Sequence, residues 1–468
     1  MSGTMRTERD LLGEKAVPAD AYYGVQTARA LENFHISGVT LHLYPNLIRA
    51  LAMVKLAAAR ANVDCGQFSP EILKGIEGAC REIMEGKLHE QFKLDVFQGG
   101  AGTSTNMNAN EVIANRALEL MGYPKGDYAH CDPHDHVNCS QSTNDAYPSA
   151  LHIGMALGNA DLVAAVDQLI AAFRAKGKEF AGILKMGRTQ LQDAVPMTLG
   201  QEFESFAETL AGEVAALQAV QRVLCETNMG ATAIGTGLNA PAGYAQKCTE
   251  HLAKVTGLPI RLATNLIEAT QDTQAFVLYY SCMKSLAIKL SKVCNDLRLL
   301  SSGPRCGFRE INLPAKQPGS SIMPGKVNPV IPEVVNMVCF RVIGSDLTVT
   351  MAAEGGQLQL NVFEPVIAAC IFEAQTMFVN AARTLRVHCV EGITANADIT
   401  RHYVDYSIGT VTALNPVIGY ERATELAAEA MRTGRGILEL VREKKILTPE
   451  QIAKVLDPAS MTGQGRPS

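Results

Sequence analysis

The feature that most constrains the fold is a stretch from Asn265 to Ser301 that contains neither proline nor glycine. Apolar residues recur along it at three- and four-residue spacing, namely Val277, Tyr280, Met283, Leu286, Leu290, Val293, Leu297 and Leu300. This spacing predicts one helix, which at 1.5 Å per residue would be about 55 Å long. A second apolar stripe between Gln201 and Asn228 predicts another long helix.

Helices of that length cannot be covered by the short helices of one chain, and they commonly pair in bundles between subunits. The sequence therefore predicts an all-α chain of three domains whose central bundle of long helices packs into a multi-subunit helical core. We expect an N-terminal helical domain at residues 1–141, a central long-helix domain at 142–396 and a small C-terminal helical domain at 397–468. A monomeric bundle or an α-solenoid is the alternative, although no repeat of 20 to 50 residues is visible.

Composition excludes several classes of function. A net charge of -5 without a basic block argues against a nucleic-acid partner. From the sequence we expect that no apolar stretch approaches the ~20 residues that span a bilayer, and therefore that the chain has no membrane segment. The first twelve residues carry four charges and do not resemble a secretory signal, which favours a cytoplasmic location.

The cysteines and histidines do not predict a metal site. Twelve cysteines are scattered from Cys65 to Cys389 without a CxxC pair, and we interpret them as reduced and mostly buried. The cluster from His130 to Cys139 lacks the spacing of a zinc motif, and a polar loop is the favoured interpretation. We expect neither a structural metal nor a cofactor.

Four segments contain more hydroxyl and amide residues than a loop requires. They are residues 99–111, with Thr103 and Asn106; 140–145, with Ser142, Thr143 and Asn144; 187–194, with Thr189 and Gln190; and 319–329, with Ser320, Ser321, Lys326 and Asn328. The first two precede helical stretches, where free N–H groups can bind an anion. Helix capping is the alternative for these two, and a solvated loop is the alternative for the third.

The fourth segment, GSSIMPGKVNP, lies in a Gly- and Pro-rich region that interrupts the helical pattern from Gly303 to Pro332. A connection of that length inside a compact domain is typical of a lid or a binding loop. Lys326 can supply positive charge, Asn328 a directional donor, and the backbone around Ser320 a set of N–H groups for an oxyanion. A plain flexible loop would not need a lysine between two prolines.

These motifs resemble those of the aspartase/fumarase superfamily. The resemblance rests on GSSIMPGKVNP, GAGTSTNMNANEV, QSTNDAYP and GRTQLQDAVPMTLGQE, and it extends over essentially the whole chain. The segments KMGRTQ and MAAEGGQLQLN are most similar to the ammonia-releasing branch of the superfamily. This likeness implies a cofactor-free homotetramer whose active sites are shared between subunits, and the elimination of ammonia from L-aspartate to give fumarate.

The resemblance also implies roles for particular residues. The catalytic base of the superfamily falls on Ser320. The substrate contacts fall on Thr103, Ser142, Thr143, Asn144, Thr189, Gln190, Ser321, Lys326 and Asn328. Many relatives, hydratases included, have histidine at the position of Gln190, and glutamine cannot buffer protons near neutral pH.

Two alternatives remain open at the level of sequence. The nearer one is a fumarate hydratase or another fumarate-releasing lyase on the same scaffold. The other is a binding protein that kept the fold after losing activity, although the intact loop with Ser320, Lys326 and Asn328 argues against it.

Overall fold

A computed structural model describes residues 4–455 and 457. Its helices are α1 (Val25–Asn33), α2 (Pro45–Asp64), α3 (Pro70–Met84), α4 (Thr103–Leu120), α5 (Thr143–Glu179), α6 (Leu199–Val220), α7 (Tyr244–Thr256), α8 (Leu266–Gln271), α9 (Gln274–Leu300), α10 (Val330–Glu354), α11 (Glu364–His388), α12 (Ala397–Tyr406), α13 (Val411–Ile418), α14 (Tyr420–Thr433), α15 (Ile437–Glu443) and α16 (Pro449–Val455). A single π-helical turn covers Pro133–Val137. The predicted all-α class with long helices is confirmed.

Strands are short and occur in four pairs within the described residues. β1 (Met5–Asp10) pairs with β2 (Gly13–Pro18), and β3 (Leu184–Thr189) pairs with β4 (Gln192–Thr198), both antiparallel. β5 (Glu226–Thr227) runs parallel to β6 (Arg261–Leu262), and β7 (Ile311–Asn312) runs antiparallel to β8 (Thr394–Ala395). The β3–β4 hairpin was not predicted, because its turn residues Gln190 and Leu191 are not those that usually signal a two-residue hairpin turn.

The chain divides into two compact units. Unit 1 comprises Met1–Val163, Ala215–Ser285 and Arg341–Phe378. Its core includes polar side chains, and each buried hydroxyl or amide needs a hydrogen-bond partner. Some of these side chains find that partner on a neighbouring long helix. Gln375 Nε2 donates to Tyr279 Oη at 2.7 Å and to Met155 O at 2.9 Å, while the Tyr280 hydroxyl donates to Val342 O.

Unit 2 comprises Ala164–Val214, Leu286–Phe340 and Val379–Ser468. Between α5 and α6 its core is aromatic, with Phe173, Phe180, Phe203 and Phe206 in edge-on and tilted contacts. The C-terminal helices bury a cluster of their own, which includes Leu414, Leu426, Ile437, Leu440, Val441 and Ile452. The three predicted domain ranges stay a prediction.

The expectation of one uninterrupted helix from Asn265 to Ser301 was wrong. The stretch forms α8 and α9, separated at Asp272 and Thr273. Asp272 has an extended backbone, and its side chain accepts the amide N–H of Gln274 at 2.9 Å. A side chain that caps the following turn competes with continuation of the preceding helix, even where proline and glycine are absent.

The expectation that no segment is apolar and long enough to span a bilayer was also wrong. By length and composition, three helical segments meet that description, at Thr143–Glu179, Val330–Glu354 and Glu364–Gly392. The most apolar windows of the first and third are 56% and 67% buried within the protein, whereas that of the second is 33% buried. A helix surrounded by other helices tolerates apolar residues around its whole circumference, so composition does not distinguish it from a membrane span.

Candidate active site

Unit 1 holds the first two polar segments and brings them together. α4 begins at Thr103 after Gly102, whose φ of 87° is left-handed. A Cβ at Gly102 would lie 2.4 Å from the ring of Tyr147, so glycine lets this turn pack directly on α5. Asn106 Nδ2 then donates to Thr143 Oγ1 at 3.2 Å, which joins the two segments.

The hydrogen bonds of Thr103, Ser142, Thr143 and Asn144 determine what each can offer a ligand. The Thr103 hydroxyl donates to Gly100 O at 2.8 Å, and Asn144 Nδ2 donates to Ala233 O at 2.7 Å. Thr103 Oγ1 and Asn144 Oδ1 therefore remain as acceptors. Ser142 Oγ accepts from Asn144 N, and Thr143 Oγ1 accepts from Asn106, so both hydroxyl hydrogens remain to be donated.

Asp145 stabilises the start of α5. Its carboxylate is fully buried and accepts the backbone N–H groups of Ser142, Gly230 and Thr232 at 2.9 to 3.1 Å. Burial raises the pKa of Asp145 to about 7, against the opposing effect of these hydrogen bonds. The glycine-rich segment after Met229, which contains Gly230 and Thr232, thus supports the Ser142–Asn144 turn.

Unit 2 holds the third and fourth segments. Thr189 and Gln190 lie at the exposed tip of the β3–β4 hairpin, where Gln190 and Leu191 have φ values of 55° and 61°. Two left-handed residues in a two-residue loop correspond to a type I′ turn, which is unusual without glycine or asparagine. Such backbone strain persists only when the surrounding structure holds it.

A buried cluster of charges holds the hairpin. Arg188 Nη1 contacts Glu310 Oε1 at 2.5 Å, and Lys185 Nζ lies 2.9 Å from Glu310 Oε2. Lys185 also pairs with Glu202, whose pKa is raised by burial. The Arg188 guanidinium lies 4.2 Å from the ring centroid of Phe308, which completes its enclosure.

The two ends of the loop that contains Ser320 are joined by hydrogen bonds. Gly319 N donates to Lys326 O at 2.7 Å, and Asn328 Nδ2 donates to Gly319 O at 2.7 Å. Ser320 Oγ accepts the backbone N–H groups of Ile322 at 3.2 Å and Met323 at 3.1 Å. Donors directed at an oxygen stabilise its anionic form.

A cavity of about 500 Å³ lies beside this loop within unit 2. Lys326, Asn328, Arg298 and Arg309 are among its lining residues, and none of the lining residues is acidic. Lys326 and Ser321 are exposed, and Ser320 is half-buried. This part of the chain can therefore attract a carboxylate.

Sequence reasoning missed residues that support the four polar segments. Asp145, Asn138 and Asn228 hold the Ser142–Asn144 turn, with Asn228 Nδ2 donating to Asn144 O at 3.0 Å. Lys55 was also missed, although a lone lysine inside the apolar run of α2 was an available signal. Within the described residues, no group of three His, Cys, Asp or Glu side chains is arranged to hold a metal ion.

Comparison with known proteins agrees with this helical fold and these loops. A family model described as lyase matches residues 13–344, and one described as fumarase C C-terminus matches residues 411–463. The long-helix fold and the four polar segments define the chain as a lyase. The chain belongs to the aspartase/fumarase superfamily.

Individual relatives cover nearly the whole chain. An aspartate ammonia-lyase from Pseudomonas aeruginosa is 59% identical over 97% of this chain and 96% of its own length, and one from Escherichia coli K12 is 54% identical over 97% and 95%. The crystal structure of a fumarate lyase:delta crystallin from Brucella melitensis has a TM-score of 0.94 at 54% identity, covering 98% of this chain and 99% of its own. A class II fumarase from Schistosoma mansoni has a TM-score of 0.91 at 36% identity, covering 99% and 100%.

Proposed function

We propose that this protein eliminates ammonia from L-aspartate to give fumarate, without a cofactor. The relatives named aspartate ammonia-lyase, at 54–59% identity over nearly the full chain, support this substrate. The observation that carries the chemistry is Ser320 Oγ accepting two backbone N–H groups, since a serine must be stabilised as an oxyanion to act as a base.

The proposed first step is removal of a Cβ proton by Ser320 Oγ. The C–H electron pair moves into the adjacent β-carboxylate, giving an enediolate-like dianion, so catalysis depends on donors that bind this carboxylate more strongly near the transition state. We assign Ser142, Thr143 and Ser321 to it. The free hydroxyl hydrogens of Ser142 and Thr143 support this assignment.

In the second step the Cα–N bond breaks. The enediolate electrons form the carbon–carbon double bond, the nitrogen leaves as ammonia with its bonding pair, and Ser320 later returns its proton to solvent. We assign Thr103 and Asn144 to the substrate ammonium, because each keeps an acceptor oxygen. Lys326, Asn328 and Thr189 bind the α-carboxylate.

Gln190 favours ammonia over water as the leaving group. The substrate ammonium already carries its protons, whereas departure of hydroxide needs an acid that glutamine cannot provide. The fumarase from Schistosoma mansoni, at 36% identity, makes hydration of fumarate the second candidate activity. A parallel assay with L-malate separates the two.

We further propose that the protein is a cytoplasmic homotetramer with active sites shared between subunits. α10 supports an oligomer, since it exposes apolar side chains on one side at three-, four- and seven-residue spacing, namely Val334, Met337, Phe340, Leu347 and Met351. Size-exclusion chromatography with light scattering tests the tetramer. A monomer at micromolar concentration would contradict it.

The assay for the proposed function follows the absorbance of fumarate with L-aspartate as substrate. We expect Ser320→Ala to lower kcat by at least about 100-fold, the usual contribution of a general base. Ser205→Ala, on the exposed face of α6, is the matched control and should retain wild-type turnover. Substantial activity of Ser320→Ala would rule out the assigned base, and wild-type protein without aspartate turnover would rule out the function.

A further inference from the structure

Lys55 is a fully buried lysine in the middle of α2. Its side chain has 0% exposure, and its ammonium donates to two amide oxygens, Asn138 Oδ1 at 3.0 Å and Gln141 Oε1 at 2.8 Å. Both of these hydrogen-bond partners are neutral amides. Burial lowers its pKa to about 7, partly opposed by the charge of Asp145. A cation in such a place is costly, so its presence needs an explanation.

The amides that Lys55 contacts lead to the proposed substrate site. Asn138 Oδ1 also accepts from Asn106 Nδ2 and Asn110 Nδ2, each at 3.1 Å. Asn106 Nδ2 in turn donates to Thr143 Oγ1. A continuous chain of hydrogen bonds therefore runs from Lys55 through Asn138 and Asn106 to Thr143.

Two contacts determine the orientation of the Asn138 amide. The Lys55 ammonium only donates, so it requires the Asn138 oxygen on its side, and Gln141 O only accepts, so it requires Asn138 Nδ2, which donates to it at 3.2 Å. Asn106 then turns its nitrogen toward that oxygen, and its own Oδ1 is left buried without a hydrogen-bond partner among the described residues. An unsatisfied buried oxygen is unfavourable, which indicates that the orientation of Asn106 is imposed by its neighbours.

We propose that Lys55 is a positioning residue for the reaction, because it orients the Asn138–Asn106 pair so that Thr143 keeps its hydroxyl hydrogen for the substrate carboxylate. This inference rests on the proposed function. If Asn138 and Asn106 both reversed, Asn106 Oδ1 would accept the Thr143 hydrogen. The β-carboxylate would then lose a donor as its charge grows.

The test is Lys55→Met, which keeps the length of the side chain and removes the ammonium. The substitution removes a costly buried charge whose partners are neutral amides, and Asn138 Oδ1 keeps its donors Asn106 and Asn110, so we expect the variant to fold with an unfolding midpoint near that of the wild type. Because the lost donor acts mainly in the transition state, kcat should fall roughly 10- to 100-fold while KM changes less than about threefold.

Two further variants separate positioning from a structural role. Leu51→Ala, one turn earlier on the buried face of α2, is the matched control and should lower the unfolding midpoint while leaving kcat unchanged. Thr143→Val should lower kcat alone, but it should cause little additional loss in the Lys55→Met background, since the two side chains act through one hydrogen bond.

Three results would overturn the inference: Lys55→Met with kcat within twofold of wild type, additive effects of the Lys55 and Thr143 substitutions, or an equal loss of kcat in Leu51→Ala. If Lys55→Met does not fold, Asn106→Asp replaces it as the test. A carboxylate only accepts, so it would take the Thr143 hydrogen and kcat should fall roughly 10- to 100-fold, whereas kcat within twofold of wild type would contradict the proposal. Wild-type protein without aspartate turnover would refute the proposed function instead.

Discussion

Replacing Arg188 with methionine should destabilise the protein because it leaves a buried carboxylate short of one cation. Glu310 has 0% exposure, and its two oxygens contact Arg188 and Lys185. With Glu202 the cluster holds two positive and two negative charges, and Arg188→Met leaves it one positive charge short. Breaking a buried pair in this way costs about 3–5 kcal/mol. The lost stacking on Phe308 adds about 0.5–2 kcal/mol.

Urea unfolding followed by far-UV circular dichroism measures this loss. The chain has no tryptophan, so intrinsic tryptophan fluorescence does not serve. Protein concentration must be held constant, since subunit association would contribute to the apparent stability. Arg188→Met combined with Glu310→Gln restores neutrality, and the double variant should recover at least half of the loss.

Arg188→Met should also affect catalysis, because the charge cluster holds the tip of the β3–β4 hairpin, where Thr189 lies. The cluster holds a turn in which Gln190 and Leu191 have left-handed backbones. Once Arg188 is lost, we expect Thr189 to lose its position and kcat/KM for L-aspartate to fall roughly 10- to 100-fold. A loss of stability below about 1 kcal/mol, or a double variant less stable than Arg188→Met alone, would refute this account of the cluster.

Two further predictions concern stability alone and use the unfolding midpoint. Gly200→Ala should destabilise the protein by about 1–3 kcal/mol, because the added Cβ would lie 2.5 Å from Gly177 O. Gly212→Ala in the same helix should stabilise it by about 0.5–1 kcal/mol, because the nearest atom to the added Cβ would be 4.0 Å away. Equal effects of the two substitutions would contradict the close approach of α5 and α6. Burial raises the pKa of Glu364 to about 8, so its contribution to stability is full below pH 4.5 and is lost as pH rises to 8. Glu364→Gln should therefore make the midpoint less dependent on pH between 5 and 8, and an unchanged slope would refute this role.

The sequence predicted the long helices because their apolar spacing depends only on local periodicity. The prediction was wrong where a side chain forms a hydrogen bond with the nearby backbone. Asp272 interrupts the expected helix by capping the next turn, and no glycine or proline marks that break. The β3–β4 hairpin was missed because its left-handed turn contains Gln190 and Leu191 rather than the residues that usually signal such a turn.

For the site, the four polar segments were visible because small hydroxyl and amide residues beside glycines are unusual in ordinary loops. The direction of their hydrogen bonds was not visible. Whether Thr143 donates or accepts depends on Asn106, then on Asn138 and finally on Lys55, which is more than 80 positions earlier in the chain.

The sequence by itself determined the helical class, the superfamily and the segments that carry polar chemistry, because each depends on residue type and short-range spacing. The tertiary structure alone decided which of those residues meet and which atoms they keep free. The physical reason is that burial makes each hydrogen bond and each charge depend on its neighbours, and those neighbours come from distant parts of the chain.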